Sequence, residues 1–254
     1  ACAGEQRTIA YPTPTYVLYR TLASLQAAPV VEIPYDDTWQ LPIAALVNAQ
    51  PAVTFIASPN SPSGHAVAIA ALRELASQLT GVLAIDEAYV DFAEANALAL
   101  IHDFPNVIVL RTLSKGYGLA GLRLGFGLAQ PGLLSGLFKV KDSYNIDAIA
   151  ALVGAAAIRD QDYLRAQVEK VRRSLAQLIP ALEQLHFRVW PSQTNFVLAQ
   201  PQIGKAAEIC QALKARGILV RYFNQPGLDD KLRITVGTDV QNQALIHALQ
   251  DILA

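Results

Sequence analysis

The stretch Val107-Ile108-Val109-Leu110-Arg111-Thr112-Leu113-Ser114-Lys115-Gly116-Tyr117-Gly118 runs from an apolar segment into a glycine-rich turn that continues through Gly121-Leu122-Arg123-Leu124-Gly125. Four consecutive apolar residues ended by such a turn read as a buried strand. A lysine at the end of that strand, with a hydroxyl just before it and an arginine further on, has the parts needed to capture a phosphorylated aldehyde covalently. The amine must be partly deprotonated to do so, and burial or nearby positive charge both favour the neutral form. Ser114 and Thr112 offer hydroxyl donors to phosphate oxygens, while Arg123 offers a bidentate fork that a lysine cannot match. The string is not a Walker A loop, in which the lysine follows the glycine instead of preceding it.

Three further segments carry chemistry in the same register. Val82-Leu83-Ala84-Ile85 ends in Asp86-Glu87-Ala88-Tyr89. Ligands of open α/β sheets bind at the carboxyl ends of the strands, so Asp86 and Lys115 are expected on one edge. An aspartate there can pair with a protonated ring nitrogen, and Tyr89 is placed to reach a ring oxygen. Taken alone, Asp86 would serve equally well as a helix N-cap. Ala52-Val53-Thr54-Phe55-Ile56 leads into Ser58-Pro59-Asn60-Ser61-Pro62-Ser63-Gly64. Two prolines and a glycine fix a turn there, and Asn60 can donate to a ring oxygen. Tyr11-Pro12-Thr13-Pro14-Thr15-Tyr16 puts Tyr16 at a strand end, where it can stack on an aromatic ring or pack into the core.

The organisation along the chain is α/β. Strand-like runs at Thr8–Ile9, Val30–Ile33, Val53–Ile56, Val82–Ile85, Val107–Leu110 and Leu124–Leu128 are separated by helical stretches such as Ala66–Leu79. This alternation predicts a mostly parallel sheet with crossover helices over residues 1–145. From 146 to 254 the pattern predicts a smaller α+β domain. It holds a long amphipathic helix from Asp162 to Leu185, strands near Phe187–Trp190, Asn195–Leu198, Leu219–Tyr222 and Leu232–Val236, and helices at Ala206–Arg216 and from Gln241. The apolar, alanine-rich stretch Ala148–Ile158 is too short to cross a membrane and reads as a packed helix.

The order Pro-Thr-Tyr (14–16), Pro-Asn-Ser-Pro-Ser-Gly (59–64), Asp-Glu-Ala-Tyr (86–89) and Thr-Leu-Ser-Lys (112–115) with Gly-Leu-Arg-Leu-Gly (121–125) resembles the class I/II aminotransferases of pyridoxal phosphate (PLP) fold type I. The similarity extends through Lys141-Asp142-Ser143-Tyr144-Asn145, Pro191-Ser192-Gln193-Thr194-Asn195-Phe196 and Leu232-Arg233-Ile234-Thr235-Val236-Gly237-Thr238, and is greatest to the histidinol-phosphate branch of that family. The resemblance implies a large PLP-binding domain and a smaller C-terminal domain. It implies Lys115 as the lysine that links to the cofactor, Asp86 on the ring nitrogen, Tyr89 on the ring oxygen, Tyr16 stacked over the ring, and Ser114 and Arg123 on the phosphate. Arg233 and Arg221 match arginines that the family uses for the acidic end of its substrate. One departure stands out. The family has asparagine immediately before Pro-Thr-Gly, where this chain has Ser61, and Ser63 replaces the threonine. Either Asn60 makes the ring contact through a shifted loop or Ser61 substitutes, and Asn60 is preferred.

The reaction so implied is transamination between a small-molecule amino donor, histidinol phosphate, and a 2-oxo acid acceptor, 2-oxoglutarate. Threonine-phosphate decarboxylation, aromatic amino-acid transamination and a truncated, non-catalytic homologue are the alternatives. The resemblance also implies a homodimer for the full-length protein. The chain contains no methionine, even at position 1, and the family carries roughly ninety residues ahead of this point on its usual domain size, so a piece of a longer protein is expected. The expected missing part includes an arm and a phosphate-binding helix N-terminus.

Composition agrees with a compact enzyme: 52% of 254 residues are hydrophobic, enough for a large core. A net charge of −1 points to neither nucleic acid nor an anionic membrane as partner. Cys2 and Cys210 have no metal-ligand spacing, and their scarcity suits a reducing, cytoplasmic setting.

Overall fold

The computed structural model describes residues 2–253. Its larger sheet contains β1 (Ile9–Thr13), β2 (Val30–Pro34), β3 (Val53–Ala57), β4 (Val82–Asp86), β5 (Val107–Thr112) and β6 (Gly125–Ala129), in the order β2-β1-β3-β4-β5-β6. The first five strands are parallel, and β6 returns antiparallel to β5. Residues alternate between the two faces of each strand, and helices cover both faces, so the central strands are apolar on both sides. On one face Ile56, Leu83, Ile85, Val107 and Val109 meet Leu46 of α2 (Ile43–Asn48), Leu72 and Leu75 of α3 (Ile69–Gln78) and Leu100 of α4 (Leu100–Asp103). On the other, Ile9, Val53, Ala57, Ala84 and Ile108 meet Tyr19 and Ala23 of α1 (Leu18–Leu25) and Leu133 and Leu137 of α5 (Pro131–Phe138).

After α5 the chain forms α6 (Ala148–Arg159) and α7 (Gln161–Gln184), then a four-stranded antiparallel sheet. That sheet contains β7 (Phe187–Val189), β8 (Phe196–Pro201), β9 (Arg221–Tyr222) and β10 (Leu232–Thr235), ordered β7-β8-β10-β9, with α8 (Ala206–Ala215) and α9 (Asp239–Leu253) packed on it. Asp147 caps α6 by accepting from the Ala150 amide at 2.8 Å, and Asp160 caps α7 by accepting from Tyr163 at 3.2 Å. Leu164, Val168, Leu175, Leu178 and Leu182 recur at helical spacing along α7 and form its buried stripe.

The strands and the long helices lie within a few residues of where the pattern placed them. The short helices α1, α2 and α5 carry too few turns to register as periodic. One expectation is corrected: the helix over 148–158 forms, but it is not packed all round. Only Ala150 and Gly154 are buried, while Ile149 and Leu152 are 73% and 72% exposed. The helix touches the rest of the chain along a seam so narrow that a Cβ at Gly154 would collide with Leu124.

Candidate active site

Parallel strands send all their carboxyl ends to one edge, and four loops meet there: Thr13 to Tyr16 after β1, Ser58 to Gly64 after β3, Asp86 to Tyr89 at the end of β4, and Leu113 to Lys115 after β5. Asp86 is the last residue of β4, in register with Ala57 on one side and Leu110 on the other. Its carboxylate accepts from the Tyr19 hydroxyl at 2.8 Å and from the Ala88 amide at 3.1 Å. Burial pushes its pKa above the usual carboxylate value, and these two hydrogen bonds pull in the opposite direction. The contact with Ala88 is a local side-chain turn and caps no helix, since the next helical turn, Val90–Phe92, starts from Tyr89.

Lys115 stands beside Tyr89, with its Nζ 5.3 Å from the ring centroid. The strand before it is buried, but the lysine itself is exposed and faces a cleft of about 770 Å³ that runs between the loops of the larger sheet and α7 past Tyr117, Tyr163, Lys170 and Asn195. Its loop is braced from beneath. Glu87, 2% exposed, accepts from Arg111 at 2.7 Å and from the Ala97 amide at 2.5 Å. Asp91 lies against Gly116, where a Cβ would collide with its carboxylate, so glycine is required at this close approach.

Ser114 accepts from the Thr112 hydroxyl at 2.9 Å. Arg123 is exposed, holds the Ala120 carbonyl at 2.9 Å and adopts φ 54°, a left-handed conformation unusual for arginine. The same loop carries both residues, and β5 and β6 close it at its base. Tyr16 is 47% exposed and meets Tyr19 edge to face at 5.9 Å. Tyr89 in turn meets Phe196 of β8 edge to face at 5.1 Å.

Arg233 reaches this group from β10. Its guanidinium lies 4.9 Å from the Phe196 ring centroid and donates to Ser61 Oγ at 2.9 Å, while its buried Nε has no partner among the described residues. Arg221 stands directly opposite it across the β9–β10 pair, and both guanidinium groups approach the Phe223 ring. Burial, and to a lesser extent Arg221, pushes the Arg233 pKa below its ordinary value. Like charges opposite one another on adjacent strands are destabilising until an anion joins them.

The surroundings of Asn60 and Ser61 differ. Asn60 is fully buried, accepts from Thr15 Oγ1 at 2.7 Å and donates to the Pro14 carbonyl at 3.1 Å and to Ser63 Oγ at 2.8 Å. Its amide is spent on tying the β1 and β3 loops together. Ser61, the other option, is the residue that faces Arg233. Tyr19 was not singled out from the sequence. Tyr16 lies before α1, so no helical spacing links the two tyrosines in the sequence.

The family model for aminotransferases of class I and II matches residues 1–249. The chain belongs to the class I and II aminotransferases. It is 62% identical over 253 residues to histidinol-phosphate aminotransferase 1 of Nostoc sp., covering 100% of this chain and 72% of that protein. The crystal structure of histidinol-phosphate aminotransferase from Sinorhizobium meliloti in complex with pyridoxal-5'-phosphate superimposes with a TM-score of 0.89 at 27% identity, over 100% of this chain and 71% of that one. The L-threonine-O-3-phosphate decarboxylase of Porphyromonas gingivalis has the same fold, with a TM-score of 0.84 at 24% identity over 97% of this chain and 77% of that one. The mostly parallel six-stranded sheet is therefore that of PLP fold type I. Among the described residues, no group of side chains could hold a metal ion and no helix is long and apolar enough to cross a membrane.

Proposed function

We propose that this chain carries the PLP-binding and substrate-binding parts of a histidinol-phosphate aminotransferase, which moves the amino group of histidinol phosphate to 2-oxoglutarate and yields imidazole acetol phosphate and glutamate. The observation that carries the substrate assignment is Arg233, a partly buried cation opposite a second arginine and with no carboxylate among its partners. Such a pair suits a doubly charged phosphate or a carboxylate, which two guanidinium groups can hold with charge-assisted hydrogen bonds.

The site fits the cofactor, since Asp86 is a partly buried acceptor with lone pairs to spare beyond its two hydrogen bonds. When bound, PLP supplies an aldehyde that links to amines and a protonated ring that draws electrons from the bond being broken. Asp86 would hold the proton on the ring nitrogen, Tyr89 and Ser61 would face the ring oxygen side, and Tyr16 would cover the ring. Ser114 and Arg123 would hold the phosphate. Lys115 would be the amine on this edge that takes a proton from the substrate carbon and returns it. The cleft beside it admits substrate and water. We infer a homodimer that works in the cytoplasm.

The test is the visible spectrum of the purified chain with PLP, followed by a transamination assay with histidinol phosphate and 2-oxoglutarate. A visible band that Lys115→Ala abolishes is expected, as is a rise of about tenfold or more in the KM for histidinol phosphate in Arg233→Lys, whose ammonium cannot form the bidentate pair. Equal bands in parent and Lys115→Ala would sink the assignment of Lys115. Release of carbon dioxide from O-phosphothreonine without transamination would replace the reading with that of a decarboxylase.

A further inference from the structure

Tyr19 occupies the first turn of α1, is 2% exposed, and is held on three sides by aromatic rings. Phe55 of β3 stacks on it at 4.7 Å and 9°, while Tyr11 and Tyr16 meet it at 5.7 and 5.9 Å. A ring clamped in this way cannot change rotamer without breaking its packing, so its hydroxyl has one place to go. That place is Asp86 Oδ2, at 2.8 Å and 67 residues away in the chain. We propose that Tyr19 is a positioning residue for the cofactor's ring-nitrogen end: its clamped hydroxyl fixes the Asp86 carboxylate at the end of β4 so that the remaining lone pairs are available to the ring N–H.

The inference rests on the PLP reading above and adds a residue to it. A carboxylate has about four acceptor positions, and the Tyr19 hydroxyl and Ala88 amide take two. Burial and the neighbouring carboxylate both push the Tyr19 pKa up, which keeps the phenol protonated and makes it the donor. Few other titratable groups compete. Tyr16 and Tyr35 stand beyond Tyr19, Glu87 is turned away to Arg111, and the flanking strands present Ala57 and Leu110. Without the tyrosine, Asp86 would keep a single hydrogen bond from its own loop to offset its burial.

Two measurements on the full 254-residue chain test this. In the cofactor-free chain labelled with carboxyl-carbon-13 aspartate, the Asp86 resonance is identified by its loss in Asp86→Asn. In Tyr19→Phe that resonance is expected to titrate at a higher pH than in the parent, and by linkage the urea midpoint at neutral pH is expected to fall modestly while unfolding stays cooperative, because the ring stack on Phe55 is kept. With PLP added, Tyr19→Phe is expected to bind about tenfold more weakly than the parent, the range for a lost hydrogen bond to a charged group. A PLP analogue with carbon in place of the ring nitrogen is expected to bind parent and variant equally. An unmoved Asp86 titration, or equal losses for PLP and the analogue, would overturn the proposal. A parent that binds no PLP while Asp86 still shifts in the variant would overturn the cofactor reading and leave the Tyr19 hydrogen bond supported.

Discussion

The residues of this edge divide by the range over which their role is set. Lys115 and Asp86 each end an apolar run, so their placement follows from the few residues before them. Asn60 does not follow this rule, because its partners Pro14 and Thr15 lie 46 and 45 residues away. Nothing local could tell its amide from the Ser61 hydroxyl. The same loop holds His65, whose Nδ1 lies 2.6 Å from Ser63 Oγ and whose buried Nε2 has no partner among the described residues. Burial lowers its pKa from 6.5 to about 4. A histidine that is harder to protonate folded than unfolded stabilises the fold fully above pH 6.5, and this contribution is lost as the pH falls toward 4. The raised pKa values of Asp86, Glu87 and Asp91 act in the opposite sense, so the prediction is a difference between two proteins. Relative to His65→Gln, the parent is expected to lose about 3 kcal/mol between neutral pH and the lower end of that window, read from urea midpoints. Parallel curves would show that His65 is hydrated in the fold.

At the scale of elements, helical and strand periodicity carried most of the reading, and it failed where a helix has no broad face to bury. α6 shows this: its alanine-rich composition favours a helix, yet composition cannot say what covers it. Its contact with the loop after β5 depends on Gly154, which lets Leu113 and Leu124 lie against the helix backbone. Glycine is a poor helix residue, so Gly154→Ala trades roughly 1 kcal/mol of helix propensity against displacement of the Leu124 side chain. Gly154→Leu has no such compensation and is expected to cost about 1–3 kcal/mol by overpacking. Because the displaced loop carries Lys115, the same variant is expected to weaken PLP binding. Unchanged thermal unfolding in Gly154→Leu would mean that α6 is not anchored through this seam.

The whole molecule depends on how the smaller sheet and its helices are fastened to the larger sheet. Arg172 of α7 donates to the carbonyls of Phe92 and Ala93 at 3.1 and 2.7 Å, and the Gln193 side chain accepts from the Glu94 amide at 2.9 Å. The Gln193 amide donates to the Gly64 carbonyl at 2.8 Å, and Arg233 reaches Ser61. These contacts hold the arginine strand over the edge that carries Asp86 and Lys115. Arg172→Leu removes a charged donor from one partly buried and one exposed carbonyl, so it is expected to speed amide exchange across 90–94 and to raise the KM for histidinol phosphate. Exchange as slow as in the parent would place the fastening elsewhere.

By itself the sequence determined the α/β class, the order of strands and long helices, and which residues end the strands at the active edge. These are local matters, set by apolar periodicity and by turn residues a few positions apart. Tertiary structure alone decided that Ser61 and not Asn60 faces Arg233, that Tyr19 holds Asp86, and that Arg221 opposes Arg233. Each of these joins residues from separate elements, and a hydrogen bond of 2.8 Å is specified only once packing has fixed both partners.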